Sequence, residues 1–155
     1  MKRMICLLSF VILFAAASAC VAADDPNMGT WKLNEAKSKF SPGAAKNTSV
    51  VYEAAGDSVK VTVDGVGADG KPSHNEWTGK FDGKDYPVTG DPSADTRSYK
   101  KIGARTLELA NKMGGKVVAS GKIIVSSDGK SRTVSISGTD ASGKKITSTA
   151  VYDKQ

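Results

Sequence analysis

From residue 48 onward, apolar and polar residues alternate in short runs, and glycine-bearing turns separate the runs. The cleanest run is 58–66, where Val59, Val61 and Val63 take every second position and Lys60 and Thr62 the positions between. A period of two marks a strand with one buried face. Further runs rich in Val, Ile, Thr and Tyr predict strands at 29–34, 48–54, 73–81, 96–102, 106–112, 116–126, 131–140 and 145–152. Five turns end in Gly-Lys: Asp69-Gly70-Lys71, Asp82-Gly83-Lys84, Gly114-Gly115-Lys116, Asp128-Gly129-Lys130 and Ser142-Gly143-Lys144. Asp-Gly and Gly-Gly accept the positive φ of two-residue hairpin turns, so consecutive strands are expected to run antiparallel.

The alternation also assigns faces. Trp77 and Phe81 share one face of their run, with Gly79 between them as a bulge or kink, and His74 and Glu76 lie opposite. Leu107 with Leu109, then Val117, Ala119, Ile123 and Val125, then Val134 with Ile136, then Ile146, are the inward candidates of the later strands. A one-turn helical piece at 35–39 is the only predicted helix. The stretch 86–95 holds Pro87 and Pro92, which exclude it from a central strand and make it the place for a mouth or lid. Nine strands in an open sheet would leave two edges exposed, and closure removes both. The fold expected is all-β, a single antiparallel up-and-down β-barrel of about eight to ten strands.

The N-terminus follows a different pattern. Lys2 and Arg3 precede an apolar run through Ala17, and small residues follow, the layout of a secretory signal peptide. The run is shorter than the ~20 apolar residues of a membrane-spanning helix. Val21-Ala22-Ala23 predicts cleavage that gives a signal peptide at 1–23, a short tether at 24–28 and a barrel domain at 29–155. A second reading takes Ala17-Ser18-Ala19-Cys20, which resembles a bacterial lipobox and would make Cys20 a lipidated first residue. The chain is then periplasmic or secreted, or lipid-anchored in the cell envelope, with Cys20 as its one link to a membrane. Cleavage after Ala23 removes both cysteines, Cys6 and Cys20, and leaves a domain with neither disulfide nor thiol.

Charge and side-chain chemistry exclude several classes. The net charge of +6 falls to +4 without Lys2 and Arg3, and the remaining lysines are dispersed, unlike the basic, aromatic-interleaved face of a nucleic-acid binder. His74, the only histidine, has no second imidazole or thiolate for a zinc site, and Asp82-Gly83-Lys84-Asp85 lacks the oxygens of a calcium loop. No Gly-x-Ser-x-Gly elbow is present. The expectation is no enzyme, no metal and no cofactor. The candidate binding strand is 96–102, where Arg97, Tyr99 and Lys101 share a face. If that face looks inward, it offers cationic and phenolic donors to a ligand head group, with Tyr52, Trp77 and Phe81 as apolar lining. The opposite face, Thr96, Ser98, Lys100 and Ile102, is nearly as polar, so periodicity leaves the register open.

Gly29-Thr30-Trp31 resembles the Gly-x-Trp of the first lipocalin strand, and Gly-Thr-Trp-Lys-Leu is similar to the start of fatty-acid-binding proteins. Ser148-Thr149-Ala150-Val151-Tyr152 is similar to the last strand of the latter, with Ala150 where that family carries its carboxylate-binding arginine. The Asp-Gly-Lys turns and Lys37-Ser38-Lys39-Phe40 resemble small exported bacterial lipocalin-like proteins. The resemblance implies that Trp31 packs across the closed end of the barrel under a basic side chain, Arg132 or more weakly Lys154, and that Tyr152 belongs to the binding set. The function expected is an exported, monomeric, non-enzymatic barrel for an apolar or amphiphilic small molecule. The alternative is a filled barrel acting as an envelope or surface interaction module.

Overall fold

The computed structural model describes residues 25–139 and 142–155. The segment 1–23, with Cys20, lies outside them. The strands are β1 (Gly29–Leu33), β2 (Lys39–Phe40), β3 (Lys46–Ala55), β4 (Ser58–Val66), β5 (Pro72–Gly79), β6 (Tyr86–Thr89), β7 (Thr96–Gly103), β8 (Thr106–Met113), β9 (Lys116–Val125), β10 (Ser131–Thr139) and β11 (Lys145–Lys154). From β3 to β11 each strand pairs antiparallel with the next, and β1 bridges β3 and β11, closing a ten-strand barrel. The short β2 extends the line of β1 along β11, where Leu33 faces Tyr152 and Lys39 faces Thr149. Between β1 and β2 lies the predicted helical piece, a 3-10 turn at Glu35–Lys37 capped by Asn34, whose Oδ1 accepts from the Lys37 amide. The Ser38 hydroxyl fills the interrupted ladder by accepting from the Val151 amide at 2.9 Å.

Three expectations need correction. First, β6 is a strand although it contains Pro87, and it makes the tenth. It is tolerated because it is short and thinly paired, to β5 through Glu76–Thr89 and Trp77–Val88 and to β7 through Tyr86–Arg97 and Pro87–Thr96. Second, Val117 faces solvent. The β8–β9 register shifts between Asn111–Ala119 and Lys112–Val117, so a bulge at 118 turns Val117 away from the face that Ala119, Ile123 and Val125 share. Third, the Asp-Gly-Lys turns are not two-residue hairpins. They lie in longer connections, 67–71, 80–85 and 126–130, where Gly70, Gly83 and Gly129 have φ of +78°, +81° and +70°. In each, the aspartate Oδ1 accepts from the lysine amide at 3.0 Å, a brace the side chain supplies to its own turn. Gly114-Gly115 does join β8 to β9 directly.

Alternate strand ends define two ends of the barrel. At one, residues 25–28, the turns 56–57 and 104–105 and the connections 80–85 and 126–130 come together with the C-terminus. At the other lie 34–45, 67–71, 90–95, 114–115 and 142–144. The first end is closed. Residues 25–28, expected as a tether, dock under it, with Asn27 fully buried and its carbonyl accepting from Trp31 Nε1 at 2.9 Å. Asp25 holds this piece in place through Lys101 Nζ at 2.6 Å and through the Asn27 amides. Burial pulls the Asp25 carboxyl upward, but these bonds outweigh it and hold the group below its ordinary value.

Candidate ligand-binding cavity

The inward residues near the closed end are large. Trp31 lies between Arg132, whose guanidinium carbon is 4.7 Å from the ring centre, and Lys154, whose ammonium is 5.2 Å away. Arg132 also stands 4.9 Å from Tyr52 and 5.0 Å from Tyr152. This is the geometry in which a cation is held by ring quadrupoles. Beside it Tyr52, Trp77, Phe81 and Tyr99 pack edge to face, with the Trp77 and Tyr99 ring centres 4.8 Å apart, while Trp77 and Phe81 stack within 11° of parallel. Trp77 Nε1 donates to the Arg97 carbonyl at 2.8 Å. Gly79 is required here, because a Cβ would lie 2.5 Å from the Tyr86 ring and 2.6 Å from Trp77.

Toward the mouth the inward positions become smaller and more polar. Here the wall is made by Asn75, Arg97, Leu109, Asn111, Val134, Ile136, Ile146 and Ser148, from five strands, and residues 90–93 form part of the rim. They enclose a cavity of about 340 Å³. Its polar wall centres on the buried Arg97. Nε donates to Asn111 Oδ1 at 2.7 Å, Nη1 to Asn75 Oδ1 at 3.2 Å and Nη2 to Asp91 Oδ2 at 3.0 Å. Asp91 comes from the connection after β6, and its Oδ1 accepts from both the amide and the hydroxyl of Ser93 at 2.9 and 2.6 Å. The other wall, Leu109, Val134, Ile136 and Ile146, is aliphatic.

A second cavity, about 420 Å³, lies at the closed end between residues 25–28, the 56–59 turn and 80–82. Although larger, it is walled mainly by turn residues, and the cations on it are already paired, Lys101 with Asp25 and Lys80 with Asp57. The mouth cavity is the better candidate because its walls are the barrel's inner faces.

The structure resolves the open register of 96–102: Arg97 and Tyr99 point inward, and Lys101, on the same face, reaches the closed end. Of the residues expected to bind a ligand, Arg97 lines the mouth cavity. Tyr52, Trp77 and Tyr99 belong to the packed aromatic layer beneath it, Phe81 joins that layer and borders the closed-end cavity, and Tyr152 lies under Arg132. They are buried against one another because large planar side chains fill a barrel more completely than they line a space. Burial raises the Tyr99 hydroxyl, with Tyr52 adding to the effect, and pushes Tyr152 up to about 12 against the opposing pull of Arg132. His74 is on the outer face, 2.7 Å from Asp64. Asn75, Asn111 and Asp91 were not singled out from the sequence. The two asparagines carried a signal, since Asn75 shares the parity of Trp77 and Asn111 that of Leu107 and Leu109. Asp91 carried none.

No protein-family model matches the chain, and no curated protein does. Among solved structures it is similar to two barrels described as bound to DFHBI. One is EF1p2_mFAP2b, 12% identical with a TM-score of 0.46 over 84% of this chain and 94% of that one. The other is the redesigned β-barrel mFAP1, 18% identical with a TM-score of 0.43 over 81% of this chain and 94% of that one. Similarity at this level carries no argument about family or ligand, so the functional reading rests on the cavity.

Proposed function

We propose that the chain is an exported, monomeric, non-enzymatic barrel of lipocalin-like kind that holds one apolar or amphiphilic small molecule in its mouth cavity. The supporting observation is the cavity itself, about 340 Å³ with an aliphatic wall facing a wall of buried hydrogen-bonding groups. That volume lies at the lower end of the ~300–1,000 Å³ usual for ligand pockets, so the reading favours a compact ligand. A titration with the neutral naphthalene dye prodan tests it. Saturable uptake of one equivalent with blue-shifted emission is expected, and Ile136→Trp, which fills the cavity, should abolish uptake while cooperative melting persists. Absence of saturable uptake, or uptake indifferent to Ile136→Trp, would overturn the reading. The aromatic layer favours the second reading, a filled interaction module, and that reading would then stand. The processed N-terminus follows from the mass of the protein taken from its own envelope: a start at Asp24 supports the soluble form, and an acylated Cys20 the anchored one.

A further inference from the structure

We propose that the mouth cavity selects a ligand whose head is neutral and accepts hydrogen bonds, such as an ester or ketone oxygen, and that Asp91 sets this selection by occupying the place on Arg97 that a ligand carboxylate would take. The proposal rests on reading the cavity as a ligand site. A guanidinium only donates, so each asparagine bonded to it must turn its carbonyl oxygen toward Arg97 and its NH2 group away. Asn75 and Asn111 both line the cavity, and neither NH2 has another partner among the described residues. The polar wall therefore offers two amide donors around a cation that is already neutralised. With Arg97 and Asp91 both largely removed from solvent, their charges are weakly screened. A ligand carboxylate would meet the Asp91 carboxylate across the same guanidinium, and like charges brought together without solvent repel strongly.

Asp91 is also fixed in position. Ser93 holds its Oδ1 twice. On its other side Gly90 has φ of +79° and lies so close to β5 that a Cβ would sit 2.4 Å from the His74 carbonyl oxygen. Downstream, Ala94 is buried, the Asp95 amide donates to the Lys112 carbonyl at 2.9 Å, and the Val88 amide donates to the Asp95 carbonyl at 3.0 Å. The connection that carries the carboxylate is pinned to β5, β6 and β8, so an incoming anion cannot displace it by moving a loose loop. The selection is thus built into the resting barrel.

The test compares methyl octanoate with octanoate at neutral pH, by calorimetry and by the side-chain amide NMR signals of Asn75 and Asn111. The intact barrel should take the ester at least about tenfold more tightly than the carboxylate, with both amide signals shifting. Asp91→Asn should raise octanoate affinity at least about tenfold and close or reverse the preference. Octanoate bound as well as the ester by the intact barrel, or an unchanged ratio in Asp91→Asn, would overturn the selection while leaving the ligand-site reading in place. If the intact barrel takes up prodan but neither compound binds, the selection is overturned and the ligand-site reading stands; if prodan uptake is absent as well, the ligand-site reading falls and takes the proposal with it. Should Asp91→Asn not fold, the ratio in the intact barrel and the response of the two amide signals decide the matter.

Discussion

Each end of the barrel buries an arginine, and the two are accommodated by opposite means. Arg132 at the closed end has three aromatic rings around it, and its Nε and Nη1 have no hydrogen-bond partner among the described residues. Arg97 at the mouth has a partner for each guanidinium nitrogen, one of them a carboxylate. The closed end thus holds its cation by packing and leaves no space beside it. The mouth holds its cation by hydrogen bonds to small side chains, which do not fill the cross-section. The same barrel is consequently packed solid in the layer around Arg132, with the closed-end cavity walled mainly by turns, and is hollow between its inner strand faces at the mouth. The difference lies in side-chain volume: Trp31, Tyr52, Trp77, Tyr99 and Tyr152 below, Asn75, Asn111, Ser148 and Gly121 above. Gly121 cannot be enlarged freely, since a Cβ there would lie 2.0 Å from the Ser135 carbonyl oxygen.

The largest effect is expected where packing alone holds the structure. Trp31→Ala should destabilise the barrel by about 3–5 kcal/mol, the range for emptying a buried aromatic site, and thermal melting should show it. A melt close to that of the parent would mean that Trp31 does not close the barrel. The arginines should then separate. Arg97→Met leaves Asp91 without its cation and both asparagine carbonyls without donors. The expected loss is about 2–4 kcal/mol, toward the low side for a broken buried pair because Asp91 keeps a little solvent. Arg132→Met gives up a cation held by rings, about 0.5–2 kcal/mol, but also removes two buried nitrogens without a hydrogen-bond partner among the described residues, so its net effect should stay within about 1 kcal/mol. Chemical denaturation of both variants checks the contrast, and equal losses would show that the two ends are stabilised alike.

How much of this could be read from the chain depended on whether the deciding contact was local. Val59, Val61 and Val63 announced β4 because strand periodicity is a property of neighbours in sequence. The Asp-Gly-Lys turns likewise encode their reversals, although the aspartate brace made the connections longer than expected. Trp31 and Arg132 could be paired from resemblance. The inward facing of Arg97 could not be derived, because both faces of 96–102 are polar and only closure of the ring chooses between them. Val117 was misplaced by a bulge set across the β8–β9 ladder. The stretch 86–95 was legible as the mouth, but the role of Asp91 within it was not, because its position depends on Gly90 lying against His74 and Asn75 of β5. What escaped at the mouth is what long-range packing decides.

The smallest expected effect distinguishes the ends by pH. Tyr152 donates to the Asn47 carbonyl at 3.0 Å, and burial at the closed end holds its hydroxyl protonated up to about 12. In the unfolded chain it ionises near its ordinary value of 10. Between those values the folded barrel binds the proton that the unfolded chain has released, so stability is full below pH 10 and falls as pH rises toward 12. One such group contributes a slope of up to about 1.4 kcal/mol per pH unit. Tyr152→Phe should therefore lose about 1 kcal/mol at neutral pH, for the missing hydrogen bond, and then decline less steeply above pH 10. Denaturation midpoints at pH 8, 10 and 11 would display the crossing curves. Parallel curves would show that Tyr152 does not titrate between 10 and 12 in the barrel, and that the rings around Arg132 admit enough water for the phenol to ionise as it does in the unfolded chain.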